Sequence, residues 1–205
     1  MRIIDDIEQR IRQSEDGSLF FVSDFATSGN DVFISRLLSG FVDSGLLCRL
    51  SHGIYYKPVN TRLGILYPEA SEIVKAIARR DNAQILPTGE TAQNILGLST
   101  QMPMNYVYLT SGSARKLTIG TKTITFKRCV PKNFTCRNDL LAILIQAVKS
   151  IGQDRLTDAH KVTIRGLLQN NMPIESFEDD LKTAPVWVRR IISNIAKEIE
   201  NEKMD

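Results

Sequence analysis

The chain has 205 residues, 42% of them hydrophobic and 24% charged, with a formal net charge of +3; this balance excludes disorder along the whole length and suits one large domain or two small ones. No stretch approaches the ~20 consecutive apolar residues that cross a bilayer, and the opening MRIIDDIEQRIRQ has charges where a secretory apolar segment would sit, so a soluble cytoplasmic protein with no membrane partner is expected. Cys48, Cys129 and Cys136 cannot all pair with one another and show no Cys-x-x-Cys spacing, so they are expected to be reduced, mostly buried and not metal ligands.

Ile3, Ile4, Ile7 and Ile11 recur at helical spacing, which predicts an amphipathic helix over residues 2–14 burying one isoleucine stripe. After Gly17 an apolar run over 19–22 leads to Ser23, whose hydroxyl is placed to cap a short helix through Asp24, Phe25 and Ala26. Beyond a Ser28, Gly29, Asn30 turn, Asp31 opens a helix with Ile34, Leu37, Leu38, Phe41 and Val42 on one stripe, stopped by Gly45. Residues 46–50 and 54–57 read as two short strands turned by Ser51, His52 and Gly53, with Tyr55 and Tyr56 on opposite sides of the second, so that one of them is expected in the core.

After Pro58 the pattern becomes α/β. A helix is expected over 69–80, an apolar run over 83–86, a helix over 90–96 that Gly97 terminates and a strand over 104–110. Residues 116–119 and 123–130 are expected to pair as a hairpin across Gly120, and 140–151, 159–169, 174–181 and 186–203 read as helices. The expected fold class is therefore α+β: an N-terminal winged helix-turn-helix in residues 1–58, followed by a larger mixed α/β domain in residues 59–205, mixed to about residue 137 and helical from 138.

Helix, short helix, turn, helix and hairpin is the element order of a winged helix-turn-helix, which lays its second helix in the major groove and its wing along the backbone. Small helical domains with a hairpin also serve as protein-docking modules. On the DNA reading, Arg36 is the recognition helix's only guanidinium, and one bidentate contact discriminates bases by about 1–3 kcal/mol. Asn30, Ser35 and Ser39 add polar contacts, Arg49 and Lys57 on the wing hold phosphates, and His52 stands at the wing turn.

Charge is unevenly spread. Residues 1–58 carry 6 Lys and Arg against 8 Asp and Glu, residues 59–137 carry 11 against 4, and residues 138–205 carry 9 against 11. The basic middle points to an anionic partner, and Lys75, Arg79, Arg80, Arg115, Lys116, Lys122, Lys127 and Arg128 are the expected contact surface; a solvated face is the plainer reading.

The segments GLLCRLSHGIYYKP, LGILYPEASEIVKAIARRDNAQILPTGETAQNILGLSTQMPMNYVYLTSG and RKLTIGTKTITFK resemble the AbiEi family, antitoxins of type IV toxin-antitoxin (abortive-infection) pairs, over roughly residues 19 to 135. The resemblance implies an amino-terminal winged helix that binds repeats in its own promoter DNA, and a larger domain, here residues 59–205, that antagonises a cognate nucleotidyltransferase-like toxin. Two positions depart from that family's pattern. Ser39, Gly40, Phe41 stand where a serine-arginine-leucine step is usual on the recognition helix, and His52 replaces the more basic residue before the wing Gly-Ile-Tyr. A protein-binding antitoxin with weakened DNA affinity is the alternative these departures suggest.

No catalytic residue, cofactor or metal site is expected. His52 and His160 are the only histidines and lack a zinc-ligand spacing or an adjacent nucleophile, and TIGTKTIT lacks the spacing of a phosphate loop. An acid cluster assembled from Asp81, Glu90 and Asp139 would be the only support for a nucleic-acid-processing enzyme. Glu178, Asp179 and Asp180 read as a solvated helix face, and Trp187 as a packing residue between the last helices.

Overall fold

The computed structural model describes residues 3–62 and 64–202, and it is a mixed α+β structure with eight α-helices and three small sheets among those residues. Arg2 and Lys203, the outermost positions of the expected terminal helices, lie outside the described residues. The chain divides into two compact units, Met1–Arg80 with Leu117–Lys122, and Asp81–Lys116 with Thr123–Asp205. The expected boundary after Pro58 therefore falls inside the first unit.

In the first unit, α1 (Ile3–Gln13) precedes β1 (Leu19–Phe21), a 3-10 helix (Val22–Phe25), α2 (Asp31–Asp43), β2 (Cys48–Ser51) and β3 (Ile54–Tyr56). The three strands form one antiparallel sheet in the order β1-β3-β2, with Phe20 opposite Tyr55 and Cys48 opposite Tyr56. The expected apolar run before the short helix is thus a strand, because its backbone finds an edge on β3. Ser23 lies inside the 3-10 helix and does not cap it; the Asp24 carboxylate reaches back to accept the Phe21 amide at 2.8 Å.

Core burial explains two further departures. Ile7 and Ile11 join Phe20, Phe25, Ile34, Leu38, Phe41, Leu47 and Tyr55 in one cluster, whereas Ile3 and Ile4 stay exposed because that cluster starts at the second turn of α1. Tyr55 and Tyr56 are both buried, since β3 is the central strand: Tyr55 faces the helices, and Tyr56 faces Tyr67 with ring centroids 6.0 Å apart. The unit continues with an unforeseen hairpin, β4 (Val59–Thr61) and β5 (Gly64–Leu66), and with α3 (Ala70–Asp81), which buries Ile73, Val74, Ala76 and Ile77.

The second unit holds β6 (Ile85–Pro87), α4 (Glu90–Ile95), β7 (Asn105–Thr110), the start of β8 (Arg115–Ile119), whose residues from Leu117 on belong to the first unit, and all of β9 (Lys122–Arg128) but Lys122. Their sheet runs β6-β7-β9-β8, with β6 antiparallel to β7 and β7 parallel to β9. The helical portion consists of α5 (Asp139–Ile151), α6 (Asp158–Gln169), α7 (Phe177–Leu181) and α8 (Val186–Glu202). α5 is the central helix, burying Leu141, Leu144, Ile145, Ala147, Val148 and Ile151, and half-buried Trp187 packs against the same cluster. α7 is shorter than expected because Ile174 is buried in the segment before it rather than within a helix.

The acidic run on α7 is only partly a solvated face. Consecutive helical residues point in different directions, so Glu178 and Asp179 are exposed while Asp180 is buried. Its carboxylate accepts the amides of Arg137 and Asn138, each at 2.9 Å, and the Ser176 hydroxyl at 2.7 Å. Burial opposes its charge, but these bonds outweigh burial and hold its pKa below the ordinary aspartate value. The three cysteines are free, and all are half-buried rather than fully buried. No helix of the described residues is long and apolar enough to cross a membrane, and among those residues no group of His, Cys, Asp and Glu is arranged to hold a metal ion.

Candidate functional site

The candidate nucleic-acid residues lie on α2 and the β2–β3 hairpin, and the structure divides them by what their polar atoms already do. Asn30 is the N-cap of α2, its Oδ1 accepting the Phe33 amide at 2.8 Å. Ser39 donates to the Ser35 carbonyl at 2.9 Å and lies 3.5 Å from the Tyr55 hydroxyl. Both side chains are thus engaged within the fold. Ser35 is half-buried and Arg36 exposed.

On the hairpin, Arg49 is exposed and preorganised. Its Nη2 meets His52 Nδ1 at 3.0 Å, its Nε donates to the Ser51 carbonyl at 3.4 Å, and its guanidinium carbon lies 6.0 Å from the centre of the Tyr55 ring. A bulge between Arg49 and Ser51 and a positive φ of 71° at Gly53 turn the hairpin so that Arg49 and His52 come together. The exposed His52 therefore serves as a partner to Arg49.

Lys57 departs from its expected role. Its ammonium donates to the carbonyls of Arg12 at 3.0 Å and Ser14 at 2.7 Å and pairs with Asp16 at 3.1 Å. Cations stabilise the negative end of a helix and satisfy its orphan carbonyls, so Lys57 fastens the carboxyl end of α1 and is withdrawn from phosphate contact. Replacing Lys57 by methionine is expected to lower stability by about 1–2 kcal/mol, read by urea denaturation. An unchanged midpoint would refute this role.

Two residues that sequence reasoning passed over stand beside Arg36. Val32 is 62% exposed and Phe33 39% exposed on α2. Phe33, Leu37 and Gly40 line, with Arg36, Glu8 and Arg12, a groove of ≈ 620 Å³ between α1 and α2. The available signal was that Val32 and Phe33 are apolar residues at positions off the buried stripe, which carries Ile34, Leu38 and Phe41.

The expected basic surface is split between the compact units. In the first, Lys75 pairs with Glu72, Arg80 lies over the Phe21 ring at 4.6 Å, and Arg79 and Arg80 line a cleft of ≈ 840 Å³ that Glu15, Asp16, Asp24, Glu69 and Glu72 share. That cleft is of mixed charge. Lys122, at the start of β9, belongs with this unit and is half-buried. In the second unit, Arg115 pairs with Asp81 at 2.5 Å and both side chains are mostly buried, so Arg115 serves the fold. Lys116, Lys127 and Arg128 are exposed and make no ion pair among the described residues. Asp81, the first of the three acids weighed for an enzyme, is engaged by Arg115.

No curated protein matches the chain. A model of a family of unknown function, DUF6088, matches residues 6–176. That match covers most of the sequence, and the chain belongs to this family.

Proposed function

We propose that the protein is a non-enzymatic antitoxin of a type IV toxin-antitoxin pair, countering a nucleotidyltransferase-like toxin and repressing its own promoter through an amino-terminal winged helix-turn-helix. The observation that carries the DNA-binding part is the order α1, β1, 3-10 helix, α2, β2, β3 with β1 paired to the hairpin as β1-β3-β2. This is the element order in which a winged helix carries its recognition helix and wing, which supports the reading. The ordered likeness to AbiEi-family segments supports the antitoxin part. Arg36 on α2 and the Arg49–His52 pair on the hairpin are the groups offered to DNA, while Asn30, Ser39 and Lys57 support the frame that presents them.

A second reading, a protein-binding module with weak DNA affinity, is favoured by exposed Val32 and Phe33 and by the apolar groove beside them. Gel shifts on the promoter upstream of its gene, across a salt series, separate the two readings. Saturable promoter binding with a log-log salt slope of about −0.9 per phosphate contacted supports the first; promoter affinity no better than for an unrelated duplex refutes it. Growth rescue beside the neighbouring toxin gene tests the antitoxin part. Lys116, Lys127 and Arg128 reversed to glutamate should keep the fold, because all three side chains are exposed, and should reduce either promoter affinity or rescue. A folded variant normal in both would make these residues a solvated face.

A further inference from the structure

One pocket, lying wholly within the second unit, has the make-up of a small-molecule site. Its volume is ≈ 370 Å³, inside the ~300–1,000 Å³ range of small-ligand pockets. One side is a single face of α5: Ala142, Ile145, Gln146 and Lys149 follow helical spacing. The 3-10 helix Pro131–Phe134 contributes Lys132 and Asn133, β6 contributes Leu86, and the turn entering α8 contributes Lys182 through Pro185.

Three features of that lining bear on its occupant. Lys132, Lys149 and Lys182 all line the pocket, and no acidic side chain does. Lys182 pairs with Asp179 at 2.8 Å outside the lining, whereas Lys132 and Lys149 make no ion pair among the described residues. Leu86, Val130, Ile145, Ala184 and Pro185 form an apolar wall.

The third feature is Gln146, only 7% exposed. Its Oε1 accepts the Thr88 hydroxyl at 3.2 Å, and its Nε2 has no partner among the described residues. No buried side-chain nitrogen or oxygen among them is sealed without a partner, so this amide nitrogen keeps some solvent access, and Gln146 is one of the residues lining the pocket. A mostly buried amide that lines a cavity and has an unused donor is a group suited to a ligand acceptor.

We propose that this pocket binds a small phosphate monoester with a flat body, of the mononucleotide class, with phosphate on Lys132 and Lys149, the body against the apolar wall, and the Gln146 amide donating to its edge. Lysine ammoniums act as point charges for phosphate. Inorganic phosphate would leave the wall and the amide unused. The inference is independent of DNA binding by the first unit.

The test is isothermal titration of the full chain with AMP, CMP, GMP, UMP and inorganic phosphate at ~50 and ~200 mM salt. At least one mononucleotide should bind saturably and about tenfold or more tighter than inorganic phosphate. The double variant Lys132→Gln, Lys149→Gln should weaken that mononucleotide about a hundredfold without moving the melting temperature of the free protein, both lysines being exposed. Gln146→Met should weaken the mononucleotide and leave phosphate binding unchanged. The proposal is overturned by no saturable binding of any of the four, by equal affinity for inorganic phosphate, or by a folded lysine double variant that binds like the parent.

Discussion

Asp180→Ala is expected to lower the stability of the protein by about 3–5 kcal/mol, because it strips the acceptor from the Arg137 and Asn138 amides and the Ser176 hydroxyl at a buried position. At roughly 2–4 °C per kcal/mol for a chain of this size, the melting temperature should fall by about 6–20 °C. These amides belong to the segment that enters α5, where the Asn138 side chain also caps the helix by accepting the Leu141 amide at 3.0 Å. One carboxylate therefore fixes the start of the helix around which the second unit's core is built. Asp180→Asn keeps an acceptor oxygen and should cost less.

The same carboxylate gives the stability a pH signature. Its folded pKa lies below the unfolded value, so its contribution is fully present above the ordinary aspartate range, near pH 4. It is lost as pH falls through the lower folded value. Urea melts of the parent between about pH 3 and 7 should show an acid limb that flattens in Asp180→Asn. An identical limb in both proteins would refute the assignment.

Cys136 supplies an independent readout. Burial first, and then the neighbouring charge of Asp180, push its thiol up to about 12. Removing that charge should increase the rate at which Cys136 is alkylated at mildly alkaline pH, since the thiolate is the reactive form.

The elements with strong helical periodicity were legible in the sequence: α2, α3, α5 and α8 each carry an uninterrupted apolar stripe, and each begins and ends within a residue or two of its expected bounds where both ends are described. What escaped depended on partners distant in sequence. Residues 19–21 become a strand only because β3 offers an edge, and β4–β5 is a short hairpin whose exposed Ile65 and Leu66 give no alternation to read. Asp180 looked like one of three equivalent acids, since nothing local shows that two amides 42 and 43 residues earlier fold onto it. Lys57 shows the same limit in the candidate site. Its position after the hairpin suggested a phosphate contact, but the carbonyls it holds belong to residues more than 40 positions away. Arg36 and Arg49 remain exposed where the pattern placed them, and the pairing of Arg49 with His52 could have been suspected from their spacing across a tight turn.

The largest functional effect is expected from reversing charge at Arg36 and Arg49. With Asn30 and Ser39 engaged in α2 and Lys57 engaged at the end of α1, these two exposed guanidiniums are, under the proposed DNA reading, the principal groups left to contact DNA. Apart from these two, residues 1–58 carry 8 Asp and Glu against 4 Lys and Arg. Loss of either contact therefore has little background attraction to compensate it. Arg36→Glu with Arg49→Glu should weaken promoter binding by a hundredfold or more, about 3 kcal/mol by the tenfold rule of 1.4 kcal/mol, and should leave the melting temperature nearly unchanged. Arg49→Ala alone should lower the salt slope by about 0.9, the signature of one lost phosphate, while Arg36→Ala should also narrow the gap between promoter and unrelated DNA. His52→Ala should act in the direction of Arg49→Ala and less strongly, because it frees the guanidinium to wander without removing it. The control is Val32→Asp, which adds a charge at an exposed apolar position on the same helix. Under the DNA reading it weakens binding through repulsion of the phosphates. If the helix instead docks on a protein, Val32→Asp should abolish rescue while the two arginine variants leave it intact, and promoter affinity of the parent should already be near the nonspecific level.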